Sequence, residues 1–159
     1  MKNTPVAVVS KISTMKALMV SQQMPIVEAV ERFSSNEGQH GIFLVDDQNR
    51  LTGVVNNSDL LDWARVQFNL SPGSLPLPVH RVRRLLKAQQ ISDLAAAESR
   101  QMSVKLTDTL AQALDTMSRY DLEDLAVTDE DGRVVNDLRL SEVLAFALKV
   151  YGRANGIDE

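Results

Sequence analysis

Cysteine is missing from all 159 residues, which excludes a disulfide framework, a thiolate metal site and a cysteine nucleophile. The same absence fits a reducing cytoplasm, the expected location. Histidine occurs only at His40 and His80, with no HExxH or comparable ligand spacing, so no metal site is expected. Aromatic residues make up only 4%, against 44% apolar and 24% charged residues. Aliphatic side chains must therefore fill the core, and the balance is that of a folded globular chain. No run of about 18 apolar residues occurs, so no membrane span is expected. The opening "MKNTPVAVVSKIS", broken by Pro5, is too short and weak for a signal peptide.

An excess of basic charge is lacking too. The net charge is −4, and such a molecule repels a nucleic-acid backbone unless one face compensates. The one basic run is "HRVRRLLK" at 80–87. Its Val82, Leu85 and Leu86 stand at the spacing of a buried helical face, with Arg81, Arg83, Arg84 and Lys87 solvated around it; arginines near a cleft that takes phosphates are the lesser alternative. Nucleic-acid binding is disfavoured. Catalysis needs a nucleophile with a base, or paired carboxylates in a pocket. The acidic runs at 46–47 and 129–131 fall in hairpin turns instead, and an enzyme is not expected.

What is present is a repeat. A shift of 83 positions carries "IFLVDDQNRLTGVVNNSDLL" (42–61) onto "LAVTDEDGRVVNDLRLSEVL" (125–144). Asp46 meets Asp129, Arg50 meets Arg133, Ser58 meets Ser141 and Leu61 meets Leu144. The apolar positions coincide as well: Ile42 with Leu125, Leu44 with Val127, Val55 with Leu138. Upstream, "PIVEAVERF" and "TLAQALDTM" are amphipathic helices, the first with Pro25 at its start, the second with Thr107 or Asp108 as N-cap. Strand-like pieces precede them, at 17–21 and 101–106. Ahead of those stand "SKISTMKA" and "QQISDLAAA", each with a short helical pattern. The turns "DDQNR" and "DEDGR" carry the Asp, Asn and Gly of tight hairpins, so the strands they join are expected to be antiparallel.

Each half thus reads as short helix, strand, helix, strand, turn, strand, helix, with final helices from about Ser58 to Phe68 and Ser141 to Val150. The expected division is 1–70 for the first repeat, 71–88 for a Pro- and Gly-rich connector ending in the basic run, 89–152 for the second repeat and 153–159 for a tail. A half of about 60 residues hardly buries its own sheet face. The expected fold is therefore α/β (α+β): two βαββα-type repeats packed sheet to sheet with pseudo-two-fold symmetry and helices outside, leaving clefts between them. Phe33, Trp63 and Met117 are expected to serve packing, and His40 to lie at the surface.

At "NNSDLL", Asn56, Asn57, Ser58 and Asp59 cluster where a strand end meets a helix start. Ser, Asn and Asp cap helices; backbone N–H groups at the same place also favour a phosphate, and a carboxylate accepts two hydrogen bonds from a diol.

With "ISTM", "PIVEAVERF", "EGQHGIFLVDDQNRLTGVV" and "NNSDLL" in the first copy, and "ISDLAAA", "TLAQALDTM", "LAVTDEDGRVV" and "LRLSEVL" in the second, the chain resembles the cystathionine-β-synthase (CBS) domain family, and specifically its tandem pair, the Bateman module. The resemblance implies a regulatory module that takes an adenosine-containing ligand, AMP, ADP, ATP or S-adenosylmethionine, in the cleft between repeats, with no cofactor required. It also implies a homodimer through the CBS helices and control of a protein partner, here on another chain. The family pattern, Gly, two apolar residues, Thr or Ser, two variable residues, Asp, falls on Gly53 to Asp59. Asp59 then faces the ribose, Asn56 replaces the hydroxyl residue near phosphate, Asn57 and Ser58 stand beside them, and Val20, Gly41, Ile42, Phe43 and Leu44 flank the adenine. The second copy departs further, and its site is the weaker: Glu142 replaces the aspartate and Arg139 the hydroxyl residue, with Ser141 and Leu125 alongside. A scaffold with degenerate, empty sites is the alternative.

Overall fold

The computed structural model describes residues 2–12, 14–68 and 77–154. The Pro- and Gly-rich connector up to residue 76, and the tail beyond 154, lie outside the described residues. The structure is mixed α/β with two three-stranded sheets. The chain forms two compact units that do not follow chain order: one is 17–101, and the other joins 1–16 to 102–159.

In the 17–101 unit, β1 (Leu18–Ser21) leads through α2 (Ile26–Ser34) to β2 (Gly41–Val45), and β2 turns back into β3 (Leu51–Asn56). α3 (Asn57–Gln67), α4 (Val79–Lys87) and 3₁₀ turns at Ile91–Leu94 and Ser99–Gln101 complete it. β2 is the middle strand, parallel to β1 and antiparallel to β3. Both faces of β2 are covered, so all five of its residues are buried. That is why "GIFLV" is an unbroken apolar run and not an alternating one. Val20, Ile42, Leu44, Val55, Leu85, Ile91 and Leu94 form the core, with Phe33 and Trp63 packed against it.

The other unit begins with α1 (Val6–Ser10) and continues with β4 (Ser103–Lys105), α5 (Leu110–Tyr120), β5 (Asp124–Thr128), β6 (Val134–Arg139) and α6 (Leu140–Ala154). β5 is the middle strand, again parallel to its predecessor and antiparallel to its successor. Met117 is buried, as its helical spacing predicts.

The duplication extends to backbone detail. Both hairpins carry an irregularity at the same place, between Leu44 and Val45 and between Val127 and Thr128. In both turns one residue has positive φ: Asn49 at 60° and Gly132 at 79°, the two residue types that tolerate this region. Asp46 Oδ1 accepts from the N–H groups of Gln48 (2.8 Å) and Arg50 (3.0 Å), and Asp129 Oδ1 from those of Asp131 and Arg133 (both 2.9 Å). These aspartates hold turns.

Three local expectations shift. The first helix lies at Val6–Ser10, ahead of "SKISTMKA", because Pro5 starts it and Val6 and Val9, one turn apart, are both buried. α5 is capped by Thr109, neither Thr107 nor Asp108. The Thr109 hydroxyl accepts from Gln112 N–H at 3.3 Å while Gln112 Oε1 accepts from Thr109 N–H at 2.8 Å, a reciprocal capping box. The Asp108 carboxylate accepts instead from Lys105 N–H. On α4, Leu85 is fully buried and Val82 packs on the core, but Leu86 is 61% exposed. Residues one apart sit about 100° apart on a helix and cannot both face a narrow seam.

Candidate functional site

The geometry of the first candidate grows from the β3–α3 junction. Asn56 ends β3 in extended conformation and caps α3. Its Oδ1 accepts from Asp59 N–H at 3.0 Å and from the Ser58 hydroxyl at 2.6 Å. Asp59 Oδ2 returns the bond by accepting from Asn56 N–H at 3.0 Å. The other carboxylate oxygen, Oδ1, accepts from Arg81 Nη2 at 2.9 Å. Asp59 is only 8% exposed. Burial raises its pKa above the usual aspartate value, against the lowering effects of Asn56 N–H and Arg81.

Arg81 comes from α4 and also approaches the Leu94 carbonyl, at 3.4 Å from Nη1 and from Nη2. One turn on, Arg84 donates to the Ala95 carbonyl at 2.7 Å. The two arginines thus engage the end of the 3₁₀ turn. Arg81 is not simply solvated, as the sequence spacing suggested; Arg83, Arg84 and Lys87 are exposed, Arg84 while making its carbonyl bond.

Of the other candidate residues, Asn57 and Ser58 are exposed at the start of α3. Gly41 lies directly across from Asn56, and a Cβ there would stand 3.2 Å from the Val55 carbonyl oxygen, tight enough to favour glycine. Val20, Ile42 and Leu44 belong to the hydrophobic core of the unit. Phe43, buried at 1% exposure, projects from the opposite face of β2. His40 is half-buried just ahead of β2.

The β6–α6 junction repeats the arrangement with other residues. Glu142 accepts from Arg139 N–H at 2.9 Å through Oε2 and from Arg139 Nη2 at 2.5 Å through Oε1. The arginine here is the cap position itself, where the first junction draws Arg81 from a separate helix. Ser141 is exposed and Leu125 fully buried. Across from Arg139 on β5 stands Asp124, in the place that Gly41 occupies beside Asn56. Asp124 is 6% exposed and its Oδ1 has no hydrogen-bond partner. Burial pushes its pKa up to about 8, with the Asp137 and Glu142 charges adding and Arg139 opposing. A neutral, protonated Asp124 follows near pH 7.

Sequence reasoning missed Asp124, and it offered the arginines of 80–87 near a phosphate-taking cleft only as a lesser alternative to a solvated helix face. The shift of 83 does set Asp124 on Gly41, so a carboxylate in place of glycine at a buried strand start was the available signal. Nothing local linked Arg81 to Asp59. Beside Glu142, a cavity of about 140 Å³ is lined by Val9, Ile12, Ala145, Phe146 and Lys149. Among the described residues no group of three or more His, Asp or Glu is arranged to hold a metal ion, and no helix is long and apolar enough to cross a membrane.

Two three-stranded sheets of like topology, each ending in a helix that starts on a paired carboxylate, define a duplicated α/β architecture. The CBS domain family model matches residues 9–65 and 91–149, and the chain belongs to that family as a tandem pair. Among curated proteins no sequence matches it. Among solved structures it is similar to a CBS domain-containing protein from Thermotoga maritima, at 24% identity over 94% of this chain and 97% of that one, with a TM-score of 0.73. It is also similar to CBSX2 in complex with AMP, at 20% identity over 93% and 98%, TM-score 0.67. The CBS domain pair of a third protein, solved with 5′-methylthioadenosine and S-adenosylmethionine, gives 14% identity over 91% and 95%, TM-score 0.61.

Proposed function

We propose that this CBS pair is a non-catalytic regulatory module that binds an adenosine-containing ligand and controls a partner protein. The observation that carries the reading is Asp59, fixed at the start of α3 in the family's ribose-facing position by Asn56, whose strand partner Gly41 carries no side chain. The AMP and S-adenosylmethionine complexes of similar structures support it. Ligand control requires a difference in affinity between two states of the pair or of its complex. Thermal unfolding with AMP, ADP, ATP and S-adenosylmethionine, on the wild type and Asp59→Ala, is the test.

The chain acts as a homodimer in this reading. Leu144, Leu148 and Tyr151 expose an apolar stripe at i, i+4 and i+7 on α6, and Leu61 and Phe68 are exposed at the matching positions of the first repeat.

A scaffold without ligand is the second reading. It is favoured by one observation: both acidic residues, Asp59 and Glu142, already hold an arginine.

A further inference from the structure

We infer that Arg81 is a displaceable internal occupant of the first site, which leaves Asp59 only for a ligand whose phosphate takes the guanidinium in exchange. The inference rests on the adenosine reading and adds the chemical selectivity of that site.

The geometry carries it. Both oxygens of Asp59 are engaged, Oδ2 by Asn56 N–H and Oδ1 by Arg81 Nη2. With the Asp59 side chain 11% exposed, a ribose diol has no open approach to the carboxylate while Arg81 stays. The Asn56 bond belongs to the helix cap and moves only with α3. The Arg81 bond belongs to a long side chain whose other contacts, at 3.4 Å to the Leu94 carbonyl, are weak. α4 is held by other means, through buried Leu85 and the 2.7 Å bond from Arg84 to Ala95. Arg81 can therefore swing without loss of its helix.

Charge decides what can replace it. A neutral nucleoside that removed Arg81 from Asp59 would leave a buried anion and a half-buried cation apart, and both would lose their partners. A nucleotide supplies hydroxyls to Asp59 and an anion to the guanidinium, a planar fork suited to phosphate. Phosphate-bearing ligands are thereby favoured over the same nucleoside without phosphate.

The test is calorimetric titration of the wild type and Arg81→Gln with AMP and with adenosine. The wild type is expected to prefer AMP by about tenfold or more, the worth of a charge-assisted contact. In Arg81→Gln, AMP is expected to weaken by about tenfold while adenosine binds as well or better, since the occupant has gone. An unchanged AMP-to-adenosine ratio would overturn the exchange, even if Asp59→Ala still abolished binding and so upheld the site. If neither protein binds either probe while both remain folded, the exchange falls, and the adenosine reading falls with it only when ADP, ATP and S-adenosylmethionine also fail to bind. Should Arg81→Gln not fold, the wild type carries the test by NMR. The Arg81 Nε–H resonance is expected to move on saturation with AMP, and a stationary resonance would sink the proposal.

Discussion

Arg81 and Asp59 meet at 2.9 Å across 22 residues of sequence, with side chains only 16% and 11% exposed. The pair joins α4 to the start of α3, so one arginine of the basic run that resembled a solvated helix face is held by the carboxylate of the candidate site. Its energetic worth is open to measurement. A double-mutant cycle of Asp59→Asn and Arg81→Gln in urea unfolding is expected to give a coupling of about 1–3 kcal/mol, in the range of partly buried networks. The exposed Glu28–Arg32 pair at similar distance, with side chains about half exposed, should give about 0.3–0.5 kcal/mol. Equal couplings would contradict the burial argument.

Ligand binding to the folded state alone raises stability by mass action. A nucleotide at about 100 times its dissociation constant should add about 2.7 kcal/mol and raise the midpoint by several degrees. Asp59→Ala should lose that shift. No shift with AMP, ADP, ATP or S-adenosylmethionine would favour the scaffold.

Asp124 gives stability a pH dependence of defined sign. Its folded pKa, about 8, lies above the ordinary 3.8, so between these values the folded state holds a proton that the unfolded chain has released. The stabilisation is complete below about pH 4 and is lost as pH rises to about 8. Asp137, Arg139 and Glu142 are the charged groups that share this environment. Urea midpoints for Asp124→Asn should fall less steeply over that window than those of the wild type; parallel profiles would refute the assignment.

Leu85 and Leu86 separate the two sides of α4. Leu85, with no exposed surface, should cost about 2–5 kcal/mol when cut to alanine. Leu86→Ala, at an exposed position, should stay within about 0.5 kcal/mol in the same denaturation assay.

For the dimer, Leu148→Glu places a charge in the exposed stripe of α6. Light scattering should report a monomer with an unchanged circular dichroism spectrum. A persisting dimer would move the interface elsewhere.

The sequence alone determined the duplication, the order of helices and strands, the two hairpins with their aspartates, and the polar cluster at the start of α3. These follow from periodicity, turn chemistry and capping, which act between residues a few positions apart. Asn49 and Gly132 could be placed in turns because the backbone there demands residues that tolerate positive φ. Only the tertiary structure decided that residues 1–16 share a compact unit with 102–159, that Arg81 reaches Asp59, and that Asp124 is buried opposite Arg139. Such pairings depend on which distant segments share a core, and on how far burial shifts a carboxyl or traps a guanidinium. Neither is written in local spacing: the same arginine on the same helix is solvated or paired according to what the fold sets against it.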